Sequence, residues 1–367
     1  YNASENKTVK DYGLSVIEDT NGHGTAVAGI LAASMNNKNG IVGIAPEVQL
    51  LVIKCSVNKN GELVRGSDAV FGLAYAIGAG ADIVNMSFGS YRDFFSKYTK
   101  LAVDSDVICV AAAGNESTNI PVYPAALDEV IAVGAYDPDD DMIADYSNYG
   151  ENVDMLAPGT AYTTAMGGGY ALYTGTSMSA PMVAGAAALY RASHGKTRFD
   201  KMRQLLEASS VDLGVAGQDY YNGFGELDVY ALVCEPKGTI KYDMMTDSLK
   251  DQSQIFVKGH TLQAMPEPEI DYLSFEGWYF DPNGTDICPL YKNVFKQNIT
   301  LYAKWGSEDE GKSFTYIKKS DGTAKIQKYT GKRRYVTVPS EIGGLTVTEI
   351  GESAFADNDR IRSVSLP

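Results

Sequence analysis

At 367 residues the chain is too long for one ordinary domain, and its 44% hydrophobic and 21% charged content excludes wholesale disorder. No apolar run approaches the roughly 18 residues that a membrane span needs, and a net charge of −15 argues against a general nucleic-acid binder. The acidity is uneven: residues 1–235 hold 14 Lys+Arg against 28 Asp+Glu, whereas residues 236–367 hold 17 against 18, a step that marks a border near 235.

In chain order, the first part alternates strand-like and helical runs. Leu50–Ile53 is a short continuous apolar run, and Ala69–Ala81 has small and apolar residues at helical spacing. Ile83–Met86, Val107–Val110 and Val130–Val133 are strand-like again, and a last helical run, Ser179–Leu189, is packed with Ala and Gly. Alternation of this kind predicts an α/β domain with a doubly wound parallel sheet, covered on both faces because its strands are continuously apolar. From Gly238 to Trp305, short strands, aromatics and turn residues such as Asp281-Pro282-Asn283-Gly284 predict an antiparallel β-rich module. Gly306–Gly311 reads as a polar linker. Beyond it, Tyr335-Val336-Thr337-Val338-Pro339 returns 28 positions later as Ser363-Val364-Ser365-Leu366-Pro367, a spacing that points to a solenoid. The expected domains are therefore 1–235, 236–306 and 312–367. The cysteines, Cys55, Cys109, Cys234 and Cys288, lie far apart with no CxxC pair, which argues against a zinc or redox motif. Cys55 and Cys109 sit in apolar runs and read as buried thiols, with no structural disulfide expected.

Three segments of the first domain carry candidate chemistry. In Asn21-Gly22-His23-Gly24-Thr25 a glycine-flanked histidine opens a helix of small residues. In Gly175-Thr176-Ser177-Met178-Ser179-Ala180-Pro181 a serine stands at a helix start, where free N–H groups and the helix dipole favour a developing oxyanion. Ala111-Ala112-Ala113-Gly114-Asn115-Glu116 puts an asparagine at the carboxyl end of a strand, where open α/β sheets place ligands. Taken singly, each has a plain structural explanation: an incidental His, a capping Ser, an Asn in a turn.

Taken together, in this order, the three resemble the histidine, asparagine and serine motifs of the subtilisin-like serine proteases (subtilases). Val42-Gly43-Ile44-Ala45-Pro46, Ile83-Val84-Asn85-Met86-Ser87-Phe88-Gly89, Leu156-Ala157-Pro158-Gly159 and Gly223-Phe224-Gly225-Glu226-Leu227-Asp228 add to a resemblance covering about residues 1–233. It implies a serine endopeptidase in which Ser177 is the nucleophile and His23 the general base and acid. Asn115 would stabilise the oxyanion with the Ser177 N–H. Ser87, Phe88 and Gly89 would lie along a protein or peptide substrate, with Gly114 beside them. Acyl transfer needs no redox cofactor or catalytic metal.

The family's third member is an aspartate, in the chain order Asp, His, Ser. Only 22 residues precede His23, and the acids among them fit poorly: Asp11 follows no buried strand, and Asp19 stands four residues before His23. The aspartate is expected upstream of Tyr1, the chain is read as an internal fragment, and turnover as low. The resemblance also raises a structural calcium at Ser34–Gly40, where Lys38 is unwelcome to a hard cation. Asp137–Asp141 is a second acidic cluster, read as a solvated turn.

Residues 238–305 resemble the internalin B-repeat modules of bacterial surface proteins through Phe275-Glu276-Gly277-Trp278-Tyr279 and Leu301-Tyr302-Ala303-Lys304-Trp305. This implies a β-grasp-like module with Trp278 and Trp305 in its core and His260 in a turn. Residues 313–367 resemble bacterial surface leucine-rich repeats through Ile350-Gly351-Glu352-Ser353-Ala354-Phe355 and Ile361 to Pro367. The whole reads as a secreted or surface-displayed bacterial endopeptidase with adhesive modules and a host or cell-surface ligand. The alternative is a non-catalytic surface adhesin on a subtilase scaffold.

Overall fold

The computed structural model describes all residues except 58–59, 61–63, 139–141, 216, 263, 271–272, 290–292, 308–312, 332–334, 357, 359–360, 362 and 367. The chain divides into two compact units: Tyr1–Gly238 with Ile255–Ala264 and Val294–Gln297, and Thr239–Gln254 with Met265–Asn293 and Asn298–Pro367.

In chain order, the first unit contains α1 (Val9–Tyr12), α2 (His23–Ala32), α3 (Gly66–Gly78), β1 (Ile83–Met86), α4 (Ser96–Asp104), β2 (Ile108–Ala112), β3 (Val130–Asp137), β4 (Met142–Ile143), β5 (Met155–Pro158), β6 (Thr160–Thr164), β7 (Tyr170–Thr174), α5 (Thr176–His194), α6 (Phe199–Ala208), β8 (Ser210–Val211), β9 (Glu226–Leu227) and α7 (Val229–Cys234). The central sheet runs β1-β2-β3-β5-β9-β8. Its β1-β2, β2-β3, β3-β5 and β5-β9 pairs are parallel, with β8 antiparallel to β9 and β4 antiparallel to β3.

Both faces of the sheet are covered, which is why β2 and β3 are apolar without alternation. Ile108, Val110, Ala112, Ile131 and Val133 pack on Ala180, Val183, Ala184 and Ala187 of α5 and on Met202 and Leu206 of α6. The intervening Cys109, Ala111, Val130 and Ala132 pack instead with Ala69 and Leu73 of α3 and Ala102 of α4. Small residues let α5 lie close to its neighbours: a Cβ on Gly185 would stand 2.7 Å from Ile44 Cβ.

Leu50–Ile53 is a correction. It forms no strand, and Leu50, Leu51 and Val52 are 44%, 44% and 46% exposed. The backbone partners found there are Tyr1, whose ammonium donates to Val52 O at 3.0 Å, and the Asn2–Lys54 bridge. An apolar run signals a capacity for burial but does not supply a partner strand. Nor is the run at Ser179–Leu189 the last helix, because α6 and α7 follow. The cysteines are free thiols, with Cys109 buried and Cys55 half-buried; burial pushes the Cys109 thiol up to about 12.

Beyond α7 come β10 (Lys237–Asp243), β11 (Gln252–Val257), β12 (Leu273–Tyr279), β13 (Ile287–Cys288) and β14 (Ile299–Ser307), in the order β11-β10-β14-β12-β13. This sheet is mixed rather than antiparallel. β12 is antiparallel to β13 and β14, but β10 and β14 pair in parallel from Ile240↔Ile299 to Asp243↔Tyr302. The long chain between β10 and β14 permits the crossover that a parallel pair requires. Trp278 is fully buried against Tyr242 and Phe275, and its indole donates to Pro266 O at 2.7 Å. Trp305 is half-buried and donates to Met244 O at 2.8 Å. His260 lies in a turn, with its ring 3.9 Å from Glu235.

The last segment holds β15 (Phe314–Lys318), β16 (Ala324–Tyr329), β17 (Tyr335–Thr337), β18 (Glu341–Ile342), β19 (Leu345–Ile350) and β20 (Ser363–Ser365). The two copies of the 28-residue echo lie side by side, β17 and β20 pairing in parallel with Tyr335↔Ser363 and Val336↔Val364. β16 and β19 are likewise parallel.

Candidate active site

Helix α5 begins at Thr176 behind Gly175, whose φ of 140° lies in the region that favours glycine. Ser177 is therefore a first-turn residue, and its own N–H has no intrahelical acceptor. Its hydroxyl donates weakly to Ser87 O at 3.4 Å. Pro181 sits inside the helix four residues on and lacks the N–H that would reach the Ser177 carbonyl. The Ser87 hydroxyl donates to that carbonyl instead at 2.9 Å, and itself accepts from Asn85 Nδ2 at 3.0 Å.

Asn115 follows β2 and is clamped at one end. Its Oδ1 accepts from Thr176 N at 2.8 Å and from Thr176 Oγ1 at 3.0 Å, while Thr176 Oγ1 accepts from Gly114 N at 3.1 Å. Two donors on Oδ1 fix which end of the amide is oxygen. Asn115 Nδ2 is thereby left as a donor with no acceptor among the described residues.

His23 is the first residue of α2. Ala26 and Ile30 of α2 cluster with Met178 of α5, so the helix that bears His23 packs on the start of the helix that bears Ser177. Burial holds the imidazole below its ordinary pKa, and the Asp19 charge opposes this only in part, so the ring is neutral at pH 7. Among the described residues the His23 ring makes no hydrogen bond, either to Ser177 or to a carboxylate. Asp19 is committed elsewhere: it accepts from Asn21 N, Gly22 N, Thr25 N and Thr25 Oγ1 at 2.7–3.0 Å. Burial alone would raise the Asp19 carboxyl, but these bonds hold it at about 2. Asp11 is exposed within α1, and its backbone N–H donates to the hydroxyl of the capping Thr8 at 3.2 Å.

Beside Ser177 lies a cleft of about 140 Å³ lined in part by Phe88, Gly89, Gly114, Asn115 and Thr176. Three of the four expected substrate-contacting residues line it. Ser87 lies behind it, buried, with its hydroxyl committed to Ser177. Tyr91, Glu116 and Val122 also line the cleft. Glu116 ends the asparagine motif, whereas Tyr91 and Val122 come from loops without a motif. A Cβ on Gly89 would stand 2.3 Å from Val122 Cγ1, so only glycine lets this wall close.

The donor set at Ser34–Gly40 does not fit calcium: it contains no carboxylate, and the Asn37 oxygen already accepts from Asn39 N at 2.9 Å. Asp139, Asp140 and Asp141 lie outside the described residues. No helix among the described residues is long and apolar enough to cross a membrane.

Comparison with known proteins matches residues 1–225 to the model of the Subtilase family. A thermophilic serine proteinase from a Bacillus species is 38% identical over 218 residues, covering 59% of this chain and 53% of that protein. Subtilisin DY from Bacillus licheniformis is 39% identical over 228 residues, covering 60% of this chain and 80% of that protein. The chain thus spans only about half the length of the first of these relatives. Among solved structures, the epidermin leader peptide processing serine protease (EpiP) of Staphylococcus aureus has a TM-score of 0.51 at 26% identity, covering 58% of this chain and 63% of that one. A lanthipeptide protease also has a TM-score of 0.51 at 26% identity, over 59% and 75%. Motif order, sheet topology and the family match agree, and the chain belongs to the Subtilase family.

Proposed function

We propose that the chain is a serine endopeptidase acting through an acyl-enzyme on Ser177. The observation that carries this reading is the Asn115 clamp. With both Oδ1 lone pairs occupied by Thr176, the side chain presents Nδ2 as a donor at the start of the helix that bears the serine. Ser177 Oγ attacks the scissile carbonyl carbon and its proton passes to neutral His23. The oxyanion takes Asn115 Nδ2–H and the Ser177 N–H. His23 then protonates the leaving amine as the C–N bond breaks. Water enters, gives its proton to His23 and cleaves the ester, and the proton returns to Ser177 Oγ. Peptides are the substrate class, in keeping with the leader-peptide and lanthipeptide proteases among the solved relatives.

Residues 1–235 form the catalytic domain. Residues 236–306 and 312–367 are an internalin B-repeat-like module and a leucine-rich-repeat segment for display or adhesion at the surface of a bacterium. The parallel echo strands support the repeat reading.

Because no carboxylate among the described residues bonds to the His23 ring, slow turnover is expected of residues 1–367; loss of that function costs on the order of 10⁴-fold in comparable triads. The same observation favours the second reading, a non-catalytic adhesin. Hydrolysis of a chromogenic peptide ester separates them: a slow rate abolished by Ser177→Ala supports the peptidase, and equal rates in both proteins support the adhesin.

A further inference from the structure

Asn148 lies outside every motif that marks the site, yet its side chain bonds almost entirely to the loop that carries Asn115. It is 3% exposed. Its Oδ1 accepts from Glu116 N at 3.0 Å and Thr118 N at 3.2 Å. Its Nδ2 donates to Ala113 O at 3.0 Å and Glu116 Oε2 at 2.8 Å. That fills the whole hydrogen-bonding capacity of the amide. Its backbone N–H adds a bond to Gly114 O at 3.0 Å, and Glu116 Oε2 in turn accepts from Asn115 N at 3.0 Å. Gly114, at φ 111°, makes the approach possible, because a Cβ there would stand 2.2 Å from Asn148 Nδ2. Neighbouring Ser147 accepts from Ala135 N of β3, tying the Asn148 segment to the central sheet.

Asn115 is therefore held from two sides. Thr176 fixes the oxygen of its side chain, and Asn148 fixes the backbone on either side of it. We propose that Asn148 is a positioning residue that sets the direction of the Asn115 donor. This rests on the reading of Asn115 as the oxyanion donor. Such a donor works only where its N–H lies about 3 Å from the place the oxyanion will occupy, so a loop freed by a few tenths of an ångström weakens it without removing it.

The test compares the full chain with Asn148→Ala, reading the rate at which a peptidyl phosphonate modifies Ser177 and the amide hydrogen exchange of Glu116 and Thr118. The expected result is a drop of about 10–100-fold in the maximal inactivation rate, below the 10²–10³-fold of losing the donor itself. The phosphonate's half-saturating concentration should hold within about twofold, and the two amides should exchange faster. In an Asn115→Ala background the same substitution should cost less than about twofold. Where Asn148→Ala does not fold, Asn148→Asp serves. Its deficit relative to the parent should shrink as pH falls and the introduced carboxylate takes up a proton. Unchanged rates and exchange would overturn the inference, as would an equal loss in the Asn115→Ala background. If the parent is not labelled but its Glu116 and Thr118 amides are freed by Asn148→Ala, the loop role stands and the peptidase reading fails.

Discussion

The Ser87 hydroxyl donates to the carbonyl oxygen of Ser177 at 2.9 Å, and Pro181 is the reason that oxygen is available. A proline in a helix interior leaves the carbonyl four residues earlier without its amide. Here the vacancy falls on the candidate nucleophile itself, and a hydroxyl from the end of β1 fills it. Sheet and helix are thereby joined at the residue whose position matters most.

The link makes a double-mutant prediction. Ser87→Ala leaves the Ser177 carbonyl without its donor and should destabilise the chain by about 1–3 kcal/mol. Pro181→Ala restores an amide donor four residues on. In the Ser87→Ala background it should therefore recover part of the loss, with a coupling of roughly 0.5–2 kcal/mol by urea unfolding. Strictly additive effects would show that the two residues do not share this carbonyl.

Glu207 is the second test. Burial and the Asp154 charge, opposed by Arg203, raise its carboxyl to about 7. The folded state thus holds a proton that the unfolded state has released, and stability falls as pH rises from the ordinary carboxylate range to about 7. Glu207→Gln removes this ionisation. It should stabilise the chain by about 1–3 kcal/mol at pH 8 and by little at pH 4.5. A gain independent of pH would contradict the assignment.

Asp19 has the opposite sign. Its carboxyl lies at about 2, below the 3.8 of a free aspartate, because four donors bind the charged form. Its contribution is full above pH 4 and is lost as pH falls toward 2. Asp19→Ala should cost about 1–2 kcal/mol at pH 7, because Asn21 N, Gly22 N and Thr25 N lose their side-chain acceptor. The difference from the parent should shrink steadily as pH falls from 4 through about 2, and a difference that stays constant over that range would contradict the role.

Much of the architecture is legible along the chain. β2 and β3 announce themselves as continuous apolar runs, and α5 as a stretch of Ala and Gly behind a glycine turn. Leu50–Ile53 has the same texture, but texture does not supply a partner. α6 hides its start behind Arg198, which offers no capping side chain, although Phe199, Met202, Leu205 and Leu206 keep helical spacing. Strand direction in β10 and β14 is not written in side-chain alternation, which specifies faces and not neighbours. Within the site, His23, Asn115 and Ser177 stand in local motifs. Tyr91 and Val122 reach the cleft from loops, and Asn148 acts on a backbone some thirty residues away, so no local pattern marks them.

The most direct test of Ser177 as the nucleophile is the location of a covalent adduct. The full chain would be incubated with a peptidyl phosphonate, digested and mapped by mass spectrometry. One slowly formed adduct is expected, on Ser177, slower by about 10²–10³-fold in Asn115→Ala. An adduct elsewhere, or none on Ser177 after prolonged incubation, would contradict the assignment of Ser177 as the nucleophile.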